Sequence, residues 1–279
     1  MSEAGAEAEA DVVVVAGTGG MGIAVARRLG SGRAMVLADA VPQALDRAVT
    51  MLRAEGYTVQ GQLTDVSDAQ AVTELARTAG AKGRVAAVVH TAGVSAATST
   101  VQQIMRVDLA GTAHVIDAFR AVATRGTSLV CVASMAGHYA TLSHADEMRL
   151  ATAPAGELLS LDVVTTVGDD PIAAYILAKR ANQVRVQAAA LAWSRLGARI
   201  NTISPGVIST PMAKSEEQAP SGDHMMAMLD ACGAGRTGTP GEIAEAAAFL
   251  TGPGSLYITG TDLLIDGGQA AWLRWHRQR

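Results

Sequence analysis

Seven short runs along the chain read as strands, and stretches of helical period fall between most of them. The runs are 12–16, 34–38, 58–63, 85–89, 128–133, 199–203 and 262–265. In the first, Val12 to Val15 and Ala16 follow one another with no polar alternation, as in a strand buried on both faces. Helical stretches are expected at 23–29, ended by Gly30 and Gly32, and around Leu45, Val49 and Leu52, which share one stripe. Others are expected from the cap Asp68 to Ala79, over 99–123, over 172–196, and over 242–250 with Gly252 closing it. Strand and helix alternate, so the fold class predicted is α/β, a single doubly wound parallel sheet with helices on both faces. Two stretches break the rhythm. Residues 138–171 carry Pro154, Gly156, Gly168 and Pro171 and read as irregular, and 209–238 reads as loop and short helix. Residues 1–10, made of Ala, Glu, Gly and Ser around a Met start, read as a frayed tail, and 11–279 as one domain without repeats or linkers. The segment 272–279 is basic and amphipathic.

Composition narrows the picture. Of 279 residues 49% are hydrophobic and only 3% aromatic, so the core must rest on Ala, Val, Leu and Ile. A net charge of -4 offers no basic footprint for nucleic acid. Two cysteines, Cys131 and Cys232, suggest no disulfide framework and a reducing compartment. No stretch approaches the ~20 apolar residues of a membrane span, and no basic residue precedes Arg27 as a secretory start requires. The expectation is a cytoplasmic protein with no membrane partner. No His, Cys or acidic cluster has metal-ligand spacing, so no metal is expected.

Two local patterns carry chemistry. Gly17-x-Gly19-x-x-Gly22 follows a strand and opens a helix, the arrangement that brings backbone N–H groups to a pyrophosphate. Asp39 ends the next strand, 39 − 19 = 20 residues beyond the middle glycine, where a carboxylate can accept the ribose hydroxyls of NAD and repel the 2′-phosphate of NADP. No Lys or Arg lies between Asp39 and Arg47 to offset that repulsion; the alternative for Asp39 is a helix N-cap. Asp65-Val66, ending the third strand, is a candidate adenine contact. The second pattern is Tyr175-x-x-x-Lys179. Tyr57, Tyr139 and Tyr257 have Gly61, Ser143 and Thr261 at the same offset. Four residues apart on a helix, phenol and ammonium share a face, and the cation favours phenolate, giving a usable general acid/base. Without further support the same pair is an ordinary feature of a surface helix.

Further support comes from motifs in order along the chain: the Gly17–Gly22 loop, Asp65-Val66, Thr91-Ala92-Gly93, Ser134, Tyr175-x-x-x-Lys179 with Asn182, Ser204-Pro205-Gly206, Thr210-Pro211-Met212, Gly235-Arg236 through Glu242, and Asp266-Gly267-Gly268. In this order the chain resembles the short-chain dehydrogenase/reductase family over nearly its full length. The resemblance implies a Rossmann-like sheet of about seven strands, a nicotinamide cofactor (NAD, given Asp39) and hydride transfer at a carbonyl carbon. It implies that Tyr175 moves the proton of the substrate oxygen, that Lys179 binds the nicotinamide ribose and depresses the Tyr175 pKa, and that Ser134 hydrogen-bonds the substrate oxygen. Thr210, Val207 and Ile208 would hold the carboxamide, and Gly93 would lie against the cofactor. Gly20, Met21, Thr91, Ala92, Pro205, Gly206 and Met212 complete the expected cofactor wall. His90 is expected to fix its loop, and His138 is a candidate pocket residue. The family usually assembles through helices, so a homodimer or homotetramer is expected.

The chain departs from the family pattern in three places. Met21 and Ile23 stand where the family's loop has glycines. Asp108 stands where the family often has Asn, and it either assists the proton relay past Lys179 through a water or is a structural polar residue. Ser134 and Tyr175 are 175 − 134 = 41 residues apart, where the family leaves about a dozen, so 138–171 contains an insertion beside two catalytic candidates. Its Met148, Leu150, Leu158, Leu159, Leu161, Val163 and Val164 suffice for a small apolar cap, which would wall the pocket or alter a subunit interface. Residues 209–238, with Met212, Met225, Met226 and Met228, resemble a substrate lid; adaptable Met there suits a bulky, apolar secondary alcohol or ketone of steroid, terpenoid or polyketide type, or simply fills core gaps. The rival readings are a lyase or epimerase that recycles NAD, and a nucleotide-sensing regulator, which commonly loses the Tyr or the Lys retained here.

Overall fold

The computed structural model describes residues 10–213, 226–227, 229–230 and 233–275. Seven strands form one sheet: β1 (Asp11–Ala16), β2 (Ala34–Asp39), β3 (Val59–Leu63), β4 (Arg84–His90), β5 (Ser128–Val132), β6 (Arg199–Pro205) and β7 (Asp262–Ile265). Their order is β3-β2-β1-β4-β5-β6-β7, with every neighbouring pair parallel. The order reverses between β1 and β4, which opens a crevice beyond their carboxyl ends.

The unbroken valine run of β1 is explained by the two layers it feeds. Val12 and Val14 join Leu75, Ile116, Phe119, Val186 and Trp193 on one face. Val13 and Val15 join Val25, Leu29, Leu45, Leu52, Ile243 and Leu250 on the other. The first face is covered by α3 (Ala69–Gly80), α5 (Thr112–Val122) and α8 (Pro171–Ser194), and the second by α1 (Gly20–Leu29), α2 (Pro42–Ala54) and α9 (Pro240–Thr251). Asp68 caps α3, accepting from the N–H groups of Gln70 at 2.8 Å and Ala71 at 3.3 Å. A last helix, α10 (Gln269–Trp275), follows β7.

Two expectations are corrected. The stretch expected as one helix over 99–123 is α4 (Val101–Ile104), a π-helical segment (Met105–Gly111) and α5 in succession. Its wider turn carries one extra residue. The stretch 138–171 is not irregular. After a 3₁₀ turn (Met135–Tyr139) it forms α6 (His144–Thr152), a second 3₁₀ turn (Ala155–Ser160) and α7 (Asp162–Thr165). Ser143 caps α6 by accepting from the Asp146 N–H at 3.1 Å, and Pro154 lies between helical pieces rather than within one. Leu150, Leu158 and Val164 pack with Ile104, Leu109, Leu177 and Ala181 in a third core cluster on α4, the π segment and α8. Each of the two leucines is fully buried, which stabilises the contact by roughly 1.5–3 kcal/mol per side chain. Met148 and Leu159 stay exposed. Arg185 of α8 locks the layer from beneath, donating to the carbonyls of Leu150 at 3.1 Å and Ala153 at 2.8 Å at the end of α6. Met225, Met228 and Cys232 lie outside the described residues, as do residues 1–9.

Candidate active site

A cleft of about 410 Å³ opens at the carboxyl ends of β1, β2, β3 and β4. Gly17, Gly19, Gly20, Met21, Gly22, Asp39, Asp65, Val66, Thr91, Ala92, Gly93, Thr210 and Met212 all line it. Sequence reasoning missed Ala40, Val41, Val94 and Val107, apolar wall residues with no motif of their own. Pro205 ends β6, and Gly206, Val207 and Ile208 line a separate small cavity of about 70 Å³ with Glu242 and Asp266.

The loop into α1 is shaped for a close approach. Gly17 has φ +105°, a conformation that side chains disfavour. Gly19 is the N-cap of α1, and a Cβ built there would meet nothing within 4 Å, so the chain is open on that side just where the helix begins. Met21 and Ile23, which stand at the family's glycine offsets, sit on α1 and pack partly buried against the second core cluster. Asp39 is held as a preformed acceptor. Its Oδ2 accepts from the Thr18 N–H at 2.8 Å and the Thr18 hydroxyl at 2.6 Å, and its Oδ1 accepts from the Val41 N–H at 2.9 Å. The N-cap of α2 is Val41, so Asp39 is not the helix cap. Asp65 Oδ1 accepts from the Ser67 N–H at 2.9 Å, which fixes the carboxylate at the end of β3.

Beyond the cleft floor lie Tyr175 and Lys179, on one face of α8. The Lys179 ammonium is 5.2 Å from the Tyr175 ring centroid. On its other side it donates to Asp108 Oδ1 at 3.3 Å, in a pair with both side chains buried. Asp108 belongs to the π segment, and its Oδ1 also accepts from the Val94 N–H at 3.1 Å. Gly93 passes over this pair so closely that a Cβ there would stand 2.6 Å from Asp108 Oδ1 and 3.3 Å from Lys179 Nζ. Burial pushes the Asp108 carboxyl above the ordinary carboxylate range, against the opposing pull of Lys179 and the Val94 N–H. Burial works against the Lys179 charge too, but Asp108 and Tyr175 outweigh it and hold its pKa above the usual value.

Behind the pair, His90 is fully buried and held down to about 3 by burial and by the Lys179 charge, so it is neutral. Its tautomer follows from its neighbours. The Thr112 hydroxyl spends its one hydrogen on the Asp108 carbonyl at 2.8 Å, so His90 Nε2, 3.2 Å from that hydroxyl, is the donor. This ties the end of β4 to α5. His90 Nδ1, Asp108 Oδ2 and both side-chain polar atoms of Asn182 are buried without a hydrogen-bond partner among the described residues. Asn182 sits one turn beyond Lys179 on the same helix face. Polar groups buried in this way are ordinarily satisfied by ordered water. The Cys131 thiol, on the neighbouring strand, is pushed up to about 12 by burial and is inert.

Ser134 follows β5 and caps the Met135–Tyr139 turn, its Oγ accepting from the Ala136 N–H at 3.1 Å. Its carbonyl accepts from Gln183 of α8 at 3.3 Å, which ties the serine segment to the helix that carries Tyr175. His138 is not among the residues that line the cleft, and its Nε2 lies 2.7 Å from Asp262 Oδ2. Among the described residues no group of three or more His, Cys, Asp and Glu side chains is arranged to hold a metal.

Comparison with known proteins agrees with this fold. A family model described as short chain dehydrogenase matches residues 10–145, and one described as enoyl-(acyl carrier protein) reductase matches 137–270. The chain is 38% identical over 263 residues to the short-chain dehydrogenase/reductase bsc3 of Alternaria brassicicola, covering 94% of this chain and 96% of that one. It is 31% identical over 272 residues to galactitol 2-dehydrogenase (L-tagatose-forming) of Cereibacter sphaeroides, covering 92% and 94%. Among solved structures, a short-chain dehydrogenase/reductase from Serratia marcescens superposes with a TM-score of 0.73 at 22% identity, over 94% of this chain and 98% of that one, a likeness of fold.

Proposed function

The chain belongs to the short-chain dehydrogenase/reductase family, and on that premise we propose that it transfers a hydride between NAD(H) and a hydrophobic secondary alcohol or ketone. It is an oxidoreductase of CH–OH groups that uses an adenine dinucleotide cofactor and a small-molecule substrate. The cleft fits that cofactor: open space at Gly19 before the first turn of α1, a fixed carboxylate at Asp39 and a close backbone approach at Gly93.

The observation that carries the catalytic reading is Lys179 buried between the Tyr175 ring and the Asp108 carboxylate, beneath Gly93. The nicotinamide, when bound, supplies the hydride acceptor or donor. In oxidation Tyr175, as phenolate, takes the proton of the alcohol; in reduction the phenol returns it to the carbonyl oxygen. Lys179 favours the phenolate by Coulomb attraction and holds the nicotinamide ribose, and Ser134 Oγ donates to the substrate oxygen. Asp108 keeps Lys179 charged. The unpartnered atoms of Asp108, His90 and Asn182 support a water-bearing compartment behind Lys179 through which its proton is replaced.

NAD rather than NADP is the proposed cofactor because a 2′-phosphate would meet the Asp39 carboxylate, whose neighbours at Thr18 and Val41 bring no cation. The apolar layer of 138–171 and the half-exposed Met212 and Met226 support a hydrophobic substrate. The likeness to galactitol 2-dehydrogenase favours polyols as the second class to try. Exposed Phe249, Leu256, Tyr257, Leu264 and Trp275, on segments from α9 to α10, support a homodimer or homotetramer, which sedimentation would test. Cytoplasmic localisation and indifference to nucleic acid complete the proposal, supported by the buried free thiol of Cys131 and the net charge of -4. No helix among the described residues is long and apolar enough to cross a membrane.

The test is nicotinamide absorbance with NAD and NADP against hydrophobic secondary alcohols and polyols, and with the reduced cofactors against the matching ketones. NAD-linked turnover of hydrophobic members is the expected result. Preference for NADP would remove the role given to Asp39, turnover confined to polyols would overturn the substrate class, and failure to bind either cofactor would overturn the whole reading.

A further inference from the structure

The hydrogen bonds behind Ser134 form a continuous side-chain chain that the catalytic groups do not explain. Gln183, on α8 two turns beyond Tyr175, points its Nε2 at two acceptors, the Ser134 carbonyl at 3.3 Å and the Ser204 hydroxyl oxygen at 2.9 Å. Ser204, on β6, can accept from Gln183 because its own hydrogen is spent elsewhere, on Asp262 Oδ1 at 2.7 Å. The same Oδ1 accepts from Thr202 at 2.6 Å, while Oδ2 faces His138, four residues after Ser134, at 2.7 Å. Asp262, an acceptor-only carboxylate on the edge strand β7, therefore orients two hydroxyls of β6 and grips the far end of the Ser134 turn. Packing closes the device, since a Cβ on Gly137 would come within 2.8 Å of the Gln183 amide. Gln183, Ser204 and Thr202 are all but inaccessible to water, so leaving their donors and acceptors unmatched is costly.

We propose that Gln183 and Asp262 are positioning residues that set the place of Ser134 relative to Tyr175, with Ser204 relaying between them. Neither touches substrate. Gln183 fixes the serine backbone against the tyrosine helix, and Asp262 fixes the direction of the Ser204 hydroxyl and, through His138, the turn that Ser134 caps. A group held this way meets the substrate oxygen without first being reorganised, and a shift of about 1 Å at such a group can cost on the order of a hundred-fold in rate. The inference rests on the reading of Ser134 as a substrate-oxygen donor, and the experiment separates the two.

The experiment is a double-mutant cycle between Gln183→Met and Ser134→Ala in the full-length protein, read as kcat and KM with NAD(H) and a substrate from the screen above. Cofactor affinity and thermal unfolding serve as controls. Gln183→Met, similar in size and without donors, is expected to lower kcat roughly ten- to a hundred-fold with cofactor affinity kept, and to lower it little further once Ser134 is Ala. Equal losses in both backgrounds would overturn the positioning role while leaving Ser134 in the mechanism. An unchanged kcat in Ser134→Ala alone would overturn the Ser134 reading and the positioning role with it. A second pair guards against mere unfolding. Asp262→Asn keeps an oxygen for the two hydroxyls and offers its amide to Nε2 of His138 once that ring carries its proton on Nδ1, and should retain most of kcat, whereas Asp262→Val should lose it. Equal kcat in those two variants would remove Asp262 from the network's function.

Discussion

On the side of the sheet from β3 to β4, the groups facing the cleft are set by backbone and by partners one loop away. Gly17 turns, Gly19 starts a helix, Thr18 and Val41 clamp Asp39, and Ser67 clamps Asp65. On the side from β5 to β7, the groups are set by side chains that meet across the fold. Gln183 reaches Ser134, Asp262 reaches Thr202, Ser204 and His138, Arg185 reaches the end of α6, and Lys179 reaches Asp108. A cofactor common to many proteins can be held by backbone N–H groups that any sequence supplies. A substrate of one's own needs a wall built from particular side chains. The two sides should therefore fail separately.

The largest effect expected lies on the second side. Tyr175→Phe should lower kcat by about 10²- to 10⁴-fold while NAD(H) titration shows affinity nearly kept. Equal damage to both would merge what the comparison separates. Next, Leu158→Ala opens a hole where the 138–171 layer meets α8, and should cost roughly 2–5 kcal/mol in denaturant unfolding, with cofactor affinity of the folded fraction unchanged. On the first side, Asp39→Ala should weaken NAD binding about ten- to a hundred-fold and move the NAD to NADP ratio toward NADP, with kcat at saturation little altered. An unmoved ratio would take the ribose contact away from Asp39.

Asp108→Asn tests the join between the sides through pH. The carboxylate holds the Lys179 pKa up, so its removal lowers that pKa, and alkaline loss of kcat/KM should begin at a lower pH. The same change leaves the Lys179 charge less neutralised beside Tyr175, favouring phenolate, so the acid limb of the oxidation profile should also move down. Limbs that stay fixed, or move up, would show that Asp108 does not set the charge of the pair. The smallest effect belongs to Asp68→Ala, which removes the α3 cap and should cost about 1 kcal/mol of stability without touching kcat or cofactor affinity.

The same division explains what could be read from the sequence. The sheet, the glycine loop, Asp39, Asp65 and the Tyr175–Lys179 pair depend on short spacings and strand–helix alternation, and they lie where the spacings put them. Gln183 and Asp262 went unseen, and Ser204 was seen only as part of a motif, because partners 21, 49 and 58 residues apart leave no local mark. The layer at 138–171 was misjudged for a different reason. Pro154, Gly156 and Gly168 break helices, and here they punctuate several short ones. The available signals were Ser143 three residues before Asp146, which is a cap, and the apolar Leu150, Leu158 and Val164 that needed a surface to cover. The π segment had no signal that propensity could register, because the extra residue is absorbed by tertiary contacts at Asp108.

That segment also limits how this chain can change its length. A π turn takes up its extra residue while the turns on either side keep their faces, so deleting one of residues 105–111 to restore a regular helix would re-aim the side chains within 105–111 itself. Asp108 looks at Lys179 from within the bulge, while Val115, Ile116 and Phe119 look into the sheet from beyond it. The sheet-facing residues would stay in place and the aim of Asp108 at Lys179 would change. Loops elsewhere can gain or lose residues freely, but here the number of residues is what aims one buried carboxylate at one buried ammonium.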